Sequence, residues 1–166
     1  MHLGSAIASD TGGYYFGRLF GGNSTVYMQD EKWGEIYMGR SGSLISPYGD
    51  MGVIGQLTDN FAWGMGSAGN WRINNKRFDN QVTIATPSFN GLKIYAQRTF
   101  SETGNEPDKG GRAEHDTHSS VAAVYTNATV DLIAAYDRDQ LTDTQKVDYG
   151  KSTNVISLAA NYRLHD

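Results

Sequence analysis

The sequence contains no cysteine, which excludes a disulfide framework and a thiolate-bound metal alike. Long apolar runs are also missing. Nowhere do about 18 apolar residues follow one another, so no helix of this chain can cross a membrane. Strands are a different matter, because a spanning β-strand shows only alternation over about ten residues. Basic charge is scarce: 14 Lys and Arg stand against 18 Asp and Glu, for a net charge of -4. No basic stripe is visible, which argues against nucleic acid as a partner, since phosphate binding needs clustered positive charge. The opening MHLGSAIASDTGG lacks the basic start and apolar stretch of a signal peptide. Either the chain is not exported or its beginning lies upstream.

What is present has the texture of strands and loops. Glycine (20) and tyrosine (10) are abundant beside only 3 prolines, and the mean hydropathy is -0.50. Strands with half-polar faces account for that mixture. With 166 residues the chain is long enough for one domain. Residues 1–22 show no strand pattern and read as the end of a loop. Strands are expected at 23–29 and 34–40, joined by a short turn, with Ile36 and Met38 on one face. A further strand is expected at 77–86, and residues 87–91 form a tight turn in which Asn90-Gly91 supplies positive φ. Strands at 92–100, 117–125, 129–137 and 153–164 complete the set.

Seven strands and no helix emerge, and their connections after the first strand alternate short, long, short, long, short, long. An up-and-down antiparallel sheet then has every short turn at one end and every long loop at the other. Barrels of the bacterial outer membrane show that asymmetry. Phe78, Phe100, Tyr125, Tyr136 and Tyr162, near strand ends, fit an aromatic girdle at the lipid interface. The alternation assigns Phe78, Val82, Ile84, Leu92, Ile94, Leu132, Ile156 and Leu158 to lipid. Gln81, Lys93, Gln97, Asp131, Asn161 and Arg163 fall on the water-facing side. A soluble sandwich would instead bury the first set against a second sheet. The alternative function that goes with that fold is a cell-surface β-domain, adhesive or structural, binding partners through its long loops.

Other motifs are weaker. Gly64-x-Gly66-x-x-Gly69 matches a dinucleotide-binding fingerprint, but neither the preceding parallel strand nor the following helix is present. His115 and His118 have the spacing of opposite faces of an extended backbone, so they read as a solvated polar loop rather than a metal site. No constellation with a supporting local motif suggests catalysis. The chain is read as a non-enzyme that uses no cofactor and no metal.

The stretch GEIYMGR (34–40) resembles the strand of Gram-negative general-diffusion porins that ends in Gly-Arg before their constriction loop. RFDNQVTIATPSFNGLKIYAQ (77–97) resembles the hairpin that follows that loop. The resemblance implies an all-β fold: part of a transmembrane up-and-down barrel of about 16 strands when complete, with about seven strands here. Residues 1–166 would then be a partial barrel domain, the middle portion of a longer porin, because a closed single-chain barrel needs at least about eight strands. The family's function would be passive diffusion of ions and small hydrophilic solutes through a homotrimer set in outer-membrane lipid and lipopolysaccharide.

The same resemblance makes residues 41–76 the loop that folds into the lumen, its apolar residues packing on the wall. Asp50 and Asp59 would form the acidic side of the constriction. Arg77, with Arg40, Arg72 and Lys76 behind it, would form the basic side, and solutes would cross the field between them. The chain departs from the family at Asn23 and Ser24, where an arginine usually joins the basic cluster. It also lacks the enterobacterial Pro-Glu-Phe-Gly-Gly loop motif.

Overall fold

Alternation with period two is the dominant local signal, and it is realised as one antiparallel sheet. The computed structural model describes residues 1–5, 7–14, 19–46, 50–51, 53, 77–100, 117–140 and 152–164. Its strands are β1 (His2–Leu3), β2 (Ser24–Asp30), β3 (Gly34–Gly42), β4 (Arg77–Ala85), β5 (Leu92–Thr99), β6 (Thr117–Thr126), β7 (Val130–Gln140) and β8 (Thr153–Tyr162). They pair strictly in sequence order. The up-and-down expectation holds, with one addition: His2 and Leu3, read from sequence as loop, pair with Thr25 and Ser24 as an eighth strand. Two residues are too few to show a period, so alternation gave no sign of β1.

The short turns, at 31–33, 86–91 and 127–129, lie at one end of the sheet, as the alternating strand directions require. In the β4–β5 turn Asn90 has φ 50° and Gly91 φ 86°, the pair of positive values a two-residue reversal needs. Phe89 and Leu92 close it by exchanging backbone hydrogen bonds of 2.8 and 3.0 Å. A Cβ at Gly91 would collide with the Thr126 carbonyl of the next turn.

Burial runs opposite to a soluble protein. Along β7, Asp131, Ile133, Ala135, Asp137 and Asp139 are buried, whereas Leu132, Ala134 and Tyr136 are exposed. On β8, Ile156 and Leu158 are 74% and 69% exposed. Gln81 and Thr83 of β4, Gln97 and Thr99 of β5, and His118 and Ser120 of β6 are all buried. One face of the sheet, the inner one, is therefore largely polar and covered. The outer face is apolar and uncovered, which suits contact with hydrocarbon and not with a second sheet.

The cover includes the chain's own segment after β3. Leu44, Ile45, Met51 and Val53 form one apolar cluster with Ala85, Tyr95, Ala122, Ile133 and Ala135 of the inner face. At the root of this segment the Gly42 carbonyl accepts hydrogen bonds from Gln97 Nε2 (3.2 Å) and Gln81 Nε2 (3.4 Å). Gln97 also donates to Thr83 Oγ1 at 2.9 Å. The wall's glutamines thus satisfy backbone that leaves the sheet, as buried carbonyls require.

One assignment is corrected. Phe78 was expected on the lipid face and in the aromatic girdle, but its ring is only 3% exposed. It stacks on His118, with centroids 4.3 Å apart and planes at 18°. Between Gly39–Gln81 and Ser41–Phe78 the register slips by one residue, and Asn80 takes φ 51°. This β-bulge puts an extra residue into β4 and reverses the side-chain parity on its far side. Tyr136 lies within β7 rather than at its end, with its hydroxyl donating to Asn154 Oδ1 at 3.1 Å. Trp33 and Phe89, 88% and 64% exposed, mark the turn end instead.

Candidate functional site

Charged side chains gather on the inner face where the segment after β3 returns to the sheet. Asp50 is at the centre, its side chain only 10% exposed. Its Oδ1 accepts from Asn23 Nδ2 at 2.7 Å and from His2 Nδ1 at 2.9 Å, and its Oδ2 from the Thr25 hydroxyl. The backbone N–H of Asp50 donates to Ser41 Oγ at 2.8 Å. Three side-chain donors, and the bond from its own backbone N–H to Ser41, hold this carboxylate in one orientation. Gly39 borders the same site. Its φ of 134° and the Ser24 carbonyl leave no space for a side chain, and it shares a narrow crevice with Thr25, Tyr37, Ser41, Gln81 and Asp50.

Asn23 turns this carboxylate toward a cation. While its Nδ2 donates to Asp50, its Oδ1 accepts from Arg77 Nε at 2.7 Å. Asp50 and Arg77 are thus linked through one amide rather than in direct contact. Arg40 sits behind: its Nη1 lies 2.8 Å from Asp79 Oδ2, and its Nε donates to the Gly21 carbonyl at 3.0 Å. Its charge is balanced locally by Asp79. Of the charged residues singled out from sequence, the fold brings Asp50, Arg77 and Arg40 to one region. Asp59, Arg72 and Lys76 lie outside the described residues, as do Gly64, Gly66 and Gly69 of the fingerprint.

The other inner-face positions fall into two groups. Towards the turn end Lys93 of β5 reaches across β4 to Glu35 of β3 in an ion pair, with Lys93 Nζ 5.3 Å above the Tyr95 ring. Ala85, which pairs in register with both Glu35 and Tyr95, is small enough to leave the path clear. Gln29 donates to Glu35 and Tyr37, and Tyr37 stacks on Tyr27 with centroids 4.9 Å apart. Also at this end, Arg163 forms an ion pair with Asp131 and donates to the Asn127 carbonyl at 2.6 Å. Asn161 stands opposite Asp131 in register.

Towards the loop end, His118 Nε2 is 3.2 Å from Asp137 Oδ1, both side chains fully buried. His118 was read as part of a solvated polar stretch; β6 begins at Thr117 as expected, and its parity turns the ring inward, where it is fully buried. His115 lies outside the described residues. Among the described residues no group of three or more His, Asp or Glu could hold a metal ion.

Sequence reasoning did not find His2, Thr25 or Ser41 as partners of Asp50. Thr25 and Ser41 occupy inward positions of β2 and β3, so parity could have found them once the register was known. His2 gave no signal. Asn23 did give one, as a position at which the resemblance to the porins leads one to expect an arginine.

Comparison with known proteins agrees with this architecture. An outer membrane porin protein of Bordetella pertussis is 30% identical over 138 residues, which cover 78% of this chain and 34% of that protein. The chain thus spans about a third of the length of the curated relative it matches. No solved structure matches it. The sequence profile of the Gram-negative porins, however, matches residues 5–166. With that profile met across nearly its whole length, the chain belongs to the Gram-negative porin family, whose place is the outer membrane.

Proposed function

We propose that the chain supplies part of the wall and the constriction of a water-filled channel through which ions and small hydrophilic solutes diffuse down their gradients. The observation that carries this reading is the reversed burial. Apolar side chains stand outward, and a polar, charged face turns toward a segment of the chain that folds back onto it. An interior of that chemistry suits water. In this reading Asp50 and Asp59 are the acidic side of the constriction, and Arg77, Arg40, Arg72 and Lys76 the basic side. Solutes are sorted by size and by the field between the two. The complete barrel has about 16 strands; it assembles as a homotrimer in outer-membrane lipid and lipopolysaccharide. The channel needs no cofactor and catalyses no reaction.

The test is conductance of the full-length porin in planar bilayers, with reversal potentials measured across a salt gradient. We expect stable ohmic steps, and a shift away from cations on replacing Asp59 by Asn. Absence of any conductance step overturns the channel reading. An unchanged permeability ratio in Asp59→Asn removes that residue from the constriction.

A further inference from the structure

Asn23 uses both ends of its amide. A carboxylate can only accept and a guanidinium can only donate, so an amide set between them has one workable orientation. Its NH2 meets Asp50 Oδ1 and its carbonyl oxygen meets Arg77 Nε, both at 2.7 Å. The backbone from which the side chain projects is fixed independently. The Asn23 main-chain carbonyl accepts from the Gly4 N–H at 2.6 Å, and the Gly22 N–H donates to the Gly4 carbonyl at 2.9 Å. A Cβ at Gly22 would collide with that same carbonyl, so the two segments come this close because residue 22 has no side chain. Asn23 is thus clamped just before β2, half-buried, with its amide held out between two opposite charges.

From this arrangement we infer that Asn23 is a positioning residue of the channel, a neutral spacer that keeps the Asp50 carboxylate and the Arg77 guanidinium from closing on each other. The inference deepens the channel reading above and rests on it. Opposite charges in contact present a passing solute with little more than a dipole, whereas the same charges held apart each act on it. The gap is one amide wide. A guanidinium carries further N–H donors beyond Nε on a flexible stem, so it can cross that gap once the amide is gone. Volume, and not only hydrogen bonding, is therefore what the spacer supplies. Leucine at this position would fill the space without bonding to either charge, and alanine would leave it open.

The experiment uses the full-length porin in planar bilayers and reads how far Asp50→Asn moves the cation-to-anion permeability ratio in three backgrounds. In the wild type it should lower the ratio about two- to four-fold, the weight of one unit charge acting through water over ~5–8 Å. In Asn23→Ala, where the pair closes, the same change should move the ratio less than about 1.5-fold. In Asn23→Leu most of the wild-type effect should return, which a general loss of structure at this position would not produce. An effect of Asp50→Asn as large in Asn23→Ala as in the wild type overturns the assignment, and so does an effect lost in Asn23→Leu as fully as in Asn23→Ala. If Asn23→Ala does not assemble, Asn23→Ser opens the same gap and is read in its place. A crystal structure of the small-residue variant gives an answer independent of conductance: an Arg77 nitrogen should lie within about 4 Å of the Asp50 carboxylate, and a gap that stays open overturns the spacer role. A wild type without conductance fails the channel reading itself, and that outcome is distinct from these.

Discussion

The two faces of this sheet are made by the same strands and obey opposite rules. On β7 the outward residues Leu132 and Tyr136 are 47% and 39% exposed, while Asp131, Asp137 and Asp139, one position over, are 2%, 0% and 1% exposed. In water such a sheet would be turned inside out. Between hydrocarbon and a polar interior it is correctly placed, because the outer face then loses no hydration it needs. On the inner face Asp131 pairs with Arg163, and Asp137 lies 3.2 Å from the buried ring of His118. Each face is thus legible only with its solvent in mind.

The most disruptive way to probe this difference is at the bulge, where a residue of outward parity has been turned in. Replacing Phe78 by Ala should cost ~3–5 kcal/mol in unfolding from lipid vesicles, because it empties a buried site and removes the stacking partner of His118. A loss under ~1 kcal/mol would mean that the ring does not pack on the inner face. Next in size, Ile84→Arg and Leu158→Arg put a charge on the outer face, at a cost of ~2–4 kcal/mol near the bilayer midplane. Both variants should lower the folded fraction of the full-length porin in vesicles; wild-type folding of both would reverse the orientation of the sheet. The smallest effect is expected on the inner face at the turn end. A double-mutant cycle with Glu35→Gln and Lys93→Met should return a coupling of ~1 kcal/mol or less, since both side chains keep contact with solvent. A coupling several times larger would show that this part of the inner face is dry.

The segment after β3 teaches a related lesson. From sequence it is a glycine-rich, apolar stretch without period, too apolar to be left in solvent. Leu44, Ile45, Met51 and Val53 do pack on the inner face, as expected of a segment that needs shelter. What could not be read was its anchorage. The grip of Gln81 and Gln97 on the Gly42 carbonyl joins residues 39 and 55 positions apart, and no local pattern encodes a contact of that separation. The Asp50–Asn23–Arg77 link is of the same kind: one residue just before β2, one at the start of β4 and one on the returning segment.

Sequence alone determined the strands β2 to β8, their order, the asymmetry of their connections and the identity of the outer face. Each of these follows from period-two alternation and turn chemistry, which are local properties of the chain. Tertiary structure decided the rest. The bulge at Asn80 set which way Phe78 points, because a slip of one residue inverts parity and cannot be seen from one strand without its neighbour. The pairing of β1 with β2 brought His2 to Asp50, because two residues become a strand only when a template supplies their hydrogen bonds.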